Sequence, residues 1–245
     1  MEKRRDSATA YIILADGCET IEALTPLDVL RRCGVEVTTI SLNKTRSVRS
    51  SHGVTVEADA TMEEFMHNCN CCASAIGTGT NSSIAGSSSS ASSTGTSTTG
   101  SRSTTAGNAG TSSSAGSSTT ASSAVRQALI LPGGYPGYKN LCESAEVGAL
   151  ITQFHKEGKL LCAICGAPTA LKANQICRGA AITCHTSVKE ELSDYYSILS
   201  SAVVKYMNII TGMGAGRSLD FAFAIAEALT SKEKVEEIKA KMEII

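Results

Sequence analysis

Short runs of apolar residues alternate along this chain with segments whose apolar residues recur at helical spacing. The pattern predicts strands at residues 11–15, 35–40, 54–56, 128–131, 160–164, 181–184 and 208–211, and helices at residues 24–34, 62–66, 145–156, 168–173, 219–229 and 232–242. Strands that are apolar throughout and separated by helices belong to βα units, whose parallel sheets are covered on both faces. We therefore expect an α/β fold, a flavodoxin-like or Rossmann-like doubly wound, mostly parallel sheet with helices on both faces.

Residues 74–123 differ in kind, because they are Ser, Thr, Gly, Ala or Asn at every position except Ile76, Ile84 and Arg102. Such a segment cannot bury enough apolar surface to offset the entropy lost on ordering, so we predict a disordered insertion. The entropy of closing a loop grows slowly with its length, which lets residues 1–73 and 124–245 form a single domain around it. A tolerated surface insertion is the favoured interpretation, and a Ser/Thr modification site is the alternative.

Charge and cysteine usage exclude several classes of protein. The net charge of -1, without a basic block, argues against nucleic acid as the main partner. No apolar run approaches the roughly 18 residues of a membrane span, and the first residues contain no secretory signal. The 10 cysteines, most of them within apolar stretches, indicate reduced intracellular thiols, so we predict a cytoplasmic protein.

One predicted strand runs directly into a helix through Ile164-Cys165-Gly166-Ala167-Pro168. Small residues flank the cysteine, and proline suits the first turn of a helix, as a nucleophile elbow requires. The amide groups of the helix N-terminus are expected to favour the Cys165 thiolate. A buried structural cysteine is the alternative interpretation.

Other turns at the same edge of the sheet carry candidate residues. Gly133 and Gly134 follow a strand and could direct N–H groups at an oxyanion, although Pro-Gly-Gly alone predicts only a turn. Glu22, in the helix after the first strand, is either a surface carboxylate or an acid that faces Cys165. If it faces a thiolate, its pKa should be raised. His185 follows another strand and is either catalytic or an ordinary polar residue.

Together, residues 12–37, Leu131 to Gly134, Ala163 to Pro168, Thr183 to His185 and residues 211–229 resemble the DJ-1/PfpI superfamily, and its DJ-1/ThiJ branch most closely. The resemblance implies a flavodoxin-like fold, a homodimer, no cofactor and a reactive, easily oxidised cysteine. By the motif, Cys165 is the nucleophile, Glu22 the acid bonded to it, and His185 the neighbouring histidine. The N–H groups of Gly134 and Gly166 then form the oxyanion hole.

Family members are known as glutathione-independent glyoxalases, as deglycases and as redox-responsive chaperones. The resemblance therefore implies an enzyme in which Cys165 adds to a small α-oxoaldehyde such as methylglyoxal, or to a glycated substrate. A redox-sensing chaperone or partner-binding protein without turnover is the alternative. A cysteine peptidase is a lesser one, because the peptidase branch has histidine where this chain has Gly166. This chain departs from the family in two further ways. Some relatives have arginine near the position of His52, and the compact form of the family has no counterpart of the insertion.

Three other patterns are weaker. Cys162 and Cys165 form C-x-x-C, but residues three apart on a strand face opposite sides, so Cys162 is predicted to lie in the core. His67, Cys69, Cys71 and Cys72 are too closely spaced for a usual structural zinc site, so no metal is predicted. The glycines at 212, 214 and 216 follow a strand but lack the spacing of a dinucleotide-binding loop.

Overall fold

A seven-stranded sheet organises the part of the chain that the computed structural model describes, residues 8–68 and 126–244. The strands are β1 (Thr9–Leu14), β2 (Glu36–Ser41), β3 (Ser47–Arg49), β4 (Thr55–Glu57), β5 (Ala60–Thr61), β6 (Gln127–Leu131), β7 (Leu160–Ile164), β8 (Ala181–Ile182), β9 (Ser197–Ile198), β10 (Val203–Tyr206) and β11 (Ile209–Gly212). The helices are α1 (Thr20–Arg32), α2 (Met62–Asn68), α3 (Gly137–Glu143), α4 (Ala145–Lys156), α5 (Pro168–Ala173), α6 (Lys189–Leu192), α7 (Ser218–Leu229) and α8 (Lys232–Lys241). The described residues on both sides of the gap belong to one compact unit.

The strand order of the main sheet is β10-β11-β7-β6-β1-β2-β5. Neighbouring strands run parallel except for β10, which pairs antiparallel with β11. The carboxyl ends of β1, β6, β7 and β11 therefore lie at one edge of the sheet, which is where parallel α/β folds place their ligands. The predicted α/β, mostly parallel fold is confirmed.

Alternate residues of the strands face two separate helix layers. Ile12 of β1 packs in a cluster with α1, α7 and α8, in which Phe221 is fully buried. The next residue, Ile13, packs in a second cluster with α2, α4 and α5, in which Phe154 is fully buried. Because the central strands are covered on both faces, their residues are apolar throughout, as the sequence indicated.

The predicted bounds of α4, β7 and α5 are confirmed. The prediction that residues 181–184 belong to the main sheet is wrong, because β8 pairs with β9 in a separate two-stranded sheet. The position beside β11 is taken instead by β10, which the sequence pattern did not reveal. The Thr183 N–H donates to Thr211 Oγ1 at 2.9 Å, so a side-chain hydrogen bond links the residue after β8 to β11.

Two sequence predictions fall wholly or partly outside the described residues. These are the insertion at residues 74–123 and the cysteines Cys69, Cys71 and Cys72 of the candidate cluster. His67 is described, and its Nδ1 lies 2.8 Å from the Glu63 carbonyl oxygen within α2. Within residues 8–68 and 126–244, no helix is both long enough and apolar enough to cross a membrane.

Candidate active site

The turn between β7 and α5 presents Cys165 in a strained backbone conformation. Cys165 has a φ of 64°, in the left-handed region that residues with a β-carbon seldom adopt. Its N–H donates to the Gly212 carbonyl at 3.0 Å, and its carbonyl accepts from the His185 N–H at 2.9 Å. The ends of two neighbouring chain segments thus hold the turn in place. The half-buried thiol sits at the carboxyl edge of the sheet, as predicted for a nucleophile elbow.

Small residues surround Cys165 because there is no room for larger ones. A Cβ atom at Gly166 would lie 2.6 Å from Cδ1 of the Tyr138 ring. At Gly134, whose φ is 87°, a Cβ would lie 2.3 Å from the backbone nitrogen of Glu19. Glycine is therefore required at both positions, by close packing at the first and by backbone conformation as well at the second.

Glu22 lies on the buried face of α1 and is fully inaccessible to solvent. Its Oε2 accepts a hydrogen bond from the Gly133 N–H at 2.9 Å, and the carboxyl also contacts the Cys165 thiol. Burial raises the pKa of Glu22 to about 7, while the hydrogen bonds from Cys165 and Gly133 oppose the rise. The raised pKa matches the prediction in direction, but its main cause is burial, not a facing thiolate.

The expectation that helix amides make Cys165 acidic needs a correction. Burial raises the pKa of the Cys165 thiol to about 12, and the charge and hydrogen bonding of Glu22 add to the rise. The N–H groups of Gly134 and Gly166 act in the predicted direction and lower it, but they are outweighed. Since the charge of Glu22 disfavours a second charge on Cys165, the pair favours a single negative charge over two.

The structure separates the roles of the three glycines. The N–H groups of Gly134 and Gly166 lie near the Cys165 sulfur and lower the pKa of its thiol. Gly133 was predicted to line the oxyanion or substrate site. That prediction is wrong, because its N–H is already bonded to Glu22 Oε2. Gly133 positions the acid instead, and a Cβ there would lie 2.7 Å from both Cys165 Cβ and Glu22 Oε2.

His185 lies at the mouth of the site with an exposed side chain. Its Nδ1 accepts from the Ser187 N–H at 3.2 Å and lies 2.8 Å from Ser187 Oγ. When the ring is neutral, its proton is therefore on Nε2. Among the described contacts, the ring has no hydrogen bond to Cys165 or Glu22.

An open cleft of about 610 Å³ lies above the thiol. It is lined by Glu19, Glu22, Gly134, Cys165, His185, Met213, Gly214, Ala215, Gly216 and Arg217. The sequence analysis missed Glu19 and the contribution of residues 213–217, although this loop directly follows β11 at the carboxyl edge. A second cavity, of about 700 Å³, is bordered by α4 and Asn174, and neither Cys165 nor Glu22 lines it.

Cys162 is fully buried, as predicted for a core residue. Within the described ranges, no group of three or more His, Cys, Asp or Glu side chains is arranged to hold a metal ion.

A mostly parallel sheet with a cysteine at a strand-to-helix turn and a buried acid beside it defines the class of α/β proteins to which the chain is compared. The model of the DJ-1/PfpI family matches residues 8–77 and 84–228. The chain belongs to the DJ-1/PfpI family.

Named relatives extend this assignment. The chain is 29% identical over 233 residues to Protein dj-1beta of Drosophila melanogaster, covering 95% of each protein. It is 38% identical over 107 residues to Glutathione-independent glyoxalase DJR-1.2 of Caenorhabditis elegans, covering 43% of this chain and 56% of the relative. The crystal structure of Drosophila melanogaster DJ-1beta superposes with a TM-score of 0.72 at 28% identity, covering 98% of this chain and 99% of the other.

Proposed function

We propose that the chain is a glyoxalase-type enzyme that converts small α-oxoaldehydes to hydroxy acids without a cofactor. The observation that carries the proposal is the buried contact between Glu22 and Cys165 beneath an open cleft. A relative named as a glutathione-independent glyoxalase matches 43% of the chain and supports the same activity. The proposal includes a homodimer, which the family resemblance implies, and a cytoplasmic location, which the cysteine usage of the chain implies. It also includes action on glycated substrates.

The first step forms a carbon–sulfur bond. The Cys165 proton passes to Glu22, which keeps the pair at one negative charge, and the thiolate adds to the aldehyde carbon. The carbonyl electron pair moves to oxygen, where the N–H groups of Gly134 and Gly166 stabilise the charge. Glu22 then returns its proton to this oxygen, which gives a hemithioacetal.

The second stage moves a proton between the two substrate carbons. The Glu22 carboxylate removes the proton from the carbon bonded to sulfur, and the electron pair passes to the neighbouring ketone oxygen, which gives an enediolate. The hydroxyl proton on the first carbon moves to this oxygen, and Glu22 returns its proton to the second carbon, which gives a hydroxy thioester. Water then cleaves the carbon–sulfur bond, releasing the hydroxy acid and the Cys165 thiol. His185, at the mouth of the cleft, exchanges protons between this chemistry and solvent.

The test is turnover of methylglyoxal to lactate in the absence of glutathione. Cys165→Ala should lower kcat/KM by about 1,000-fold or more because it removes the attacking atom. Cys142→Ser is the matched control, since Cys142 is a half-buried thiol outside the cleft, in contact with Thr169 Oγ1 at 3.1 Å. Circular dichroism should show both variants folded. Undiminished turnover by folded Cys165→Ala would overturn the proposal.

A redox sensor is the second candidate, favoured by the N–H groups of Gly134 and Gly166 near the Cys165 sulfur, which lower the pKa of its thiol. Two equivalents of peroxide would oxidise the thiolate to a sulfinate and release two waters, and the same N–H groups and a protonated Glu22 would bond its oxygens. Selective peroxide oxidation at Cys165, without methylglyoxal turnover, would favour this function. A peptidase is disfavoured, because the Tyr138 ring occupies the space that a histidine at position 166 would need.

A further inference from the structure

We propose that Arg217 forms an anion subsite in the cleft, and that the preferred substrates are α-oxoaldehydes bearing a carboxylate. The proposal deepens the proposed function and rests on it for its turnover assay. Arg217 carries the only permanently positive side chain among the described residues that line the cleft. The aldehyde would meet Cys165 while the carboxylate meets the guanidinium.

The loop that carries Arg217 is attached to the cysteine elbow. The Gly212 carbonyl accepts the Cys165 N–H at 3.0 Å, and a Cβ at Gly214 would lie 3.4 Å from the His185 ring. The Arg217 N–H donates to the Gly214 carbonyl at 2.8 Å, which closes a single helical turn over residues 215–217. The backbone of Arg217 is therefore held in a defined position relative to the nucleophile.

The guanidinium has donors to spare. Its Nη1 lies 3.6 Å from Asp220 Oδ2, which is longer than a hydrogen bond, and the two side chains are 57% and 53% exposed. An ion pair so open to solvent contributes little and is readily exchanged for another anion. Arginine offers five N–H groups in a planar fork, which matches the two oxygens of a carboxylate.

Each acid of the cleft has one carboxyl oxygen that already accepts a hydrogen bond. Glu19 Oε2 accepts from Ser51 Oγ at 3.0 Å and lies 3.2 Å from His52 Nδ1. Glu22 Oε2 is bonded to the Gly133 N–H, and burial keeps its pKa raised, which reduces its negative charge at neutral pH. The Arg217 guanidinium is therefore the charged group of the lining that is available to bind an anion.

The volume of the cleft points in the same direction. Pockets of 300 to 1,000 Å³ commonly hold ligands far larger than a three-carbon aldehyde. At about 610 Å³, this cleft has room for a substrate that extends from Cys165 toward Arg217. The compound 4,5-dioxopentanoate, an α-oxoaldehyde with a carboxylate two methylenes away, has the required chemistry.

The first experiment compares kcat/KM for 4,5-dioxopentanoate and methylglyoxal in the wild type, Arg217→Gln and Arg217→Lys. The ratio of the two values should fall about tenfold in Arg217→Gln and should be largely restored in Arg217→Lys. Asp220→Asn is the control that keeps the cation and removes its competitor, so the ratio should hold or rise. An unchanged ratio in Arg217→Gln, whether kcat/KM falls equally for both substrates or for neither, would overturn the proposal.

The second experiment does not require turnover. Cys165 is alkylated with iodoacetate, which is anionic, and with iodoacetamide, which is neutral, and the modified peptide is quantified by mass spectrometry. The rate of alkylation by iodoacetate, divided by the rate with iodoacetamide, should fall several-fold in Arg217→Gln. An unchanged ratio would contradict the anion subsite even if the enzyme is active. If the wild type turns over neither aldehyde but the alkylation ratio falls, the proposed function fails and the subsite stands.

Discussion

The buried Glu22 carboxyl contacts the Cys165 thiol, although the two residues come from opposite halves of the chain. The Gly133 N–H donates to one carboxyl oxygen at 2.9 Å, and the nearby N–H groups of Gly134 and Gly166 lower the pKa of the thiol. Because the two acidic groups share one enclosed site, the charge of each depends on the protonation of the other.

The wild-type protein should lose stability between pH 4.5 and about 8 relative to Glu22→Gln. Burial raises the pKa of Glu22 from 4.5 to about 7, so the folded state binds more protons than the unfolded state across this interval. The stabilisation from this proton uptake is complete below the pKa of Glu22 in the unfolded state. It is lost as the pH rises through the pKa of Glu22 in the folded state. The difference amounts to about 3 kcal/mol, at about 1.4 kcal/mol per pKa unit.

Urea unfolding of both proteins at the two ends of this pH range measures the effect. The other carboxylates are present in both proteins. The difference between the two proteins in how the free energy of unfolding changes with pH therefore isolates the contribution of Glu22. Parallel pH profiles would show that Glu22 titrates alike in the folded and unfolded states.

Gly133→Ala should destabilise the fold by about 1–3 kcal/mol and displace the acid from the thiol. Its Cβ would lie 2.7 Å from both Cys165 Cβ and Glu22 Oε2, and the Glu22 side chain is fully buried. Gly216→Ala is the matched control for stability, because its Cβ would meet no atom within 4 Å. Thermal and urea unfolding compare the two, and similar losses in both variants would show that the space at Gly133 is not restricted.

Gly166→Ala should be destabilising mainly because of Tyr138. The new Cβ would lie 2.6 Å from Cδ1 of the ring, so removing the ring should relieve the clash. In a double-mutant cycle, Gly166→Ala should therefore cost less in the Tyr138→Ala background, with a coupling energy of about 0.5–3 kcal/mol. Additive effects on the free energy of unfolding would mean that the packing against Tyr138 does not explain the glycine.

Much of the fold could be predicted because its signal is local. The apolar run at residues 160–164 and the small residues that follow predict both β7 and the elbow. The edge strand β10 has two exposed residues and a mixed pattern, so its short run of residues did not stand out. The place of β8 depends on which strand lies beside β11, and that is a tertiary contact that no local pattern encodes.

The site was predictable in its residues and less so in its electrostatics. Position in the chain places Cys165 at a helix N-terminus, but the sequence does not show how deeply Glu22 is buried. Burial of the thiol, together with the charge of Glu22 beside it, outweighs the amide groups and raises the pKa of Cys165 to about 12. The role of Gly133 was assigned wrongly for the same reason, since its hydrogen bond partner comes from a distant helix. Arg217 was missed because a single arginine in a loop carries no motif.

The most direct test of the coupled pair is a pH titration of Cys165 alkylation, read at the Cys165 peptide, in the wild type and in Glu22→Gln. Glu22 loses its proton near pH 7 and its charge then raises the pKa of the neighbouring thiol, so the wild-type thiolate should form only in strongly alkaline solution. Glu22→Gln, which has one acid left, should show a single step that is complete at a lower pH. Superimposable single-step curves for the two proteins would contradict the coupling of Glu22 to Cys165.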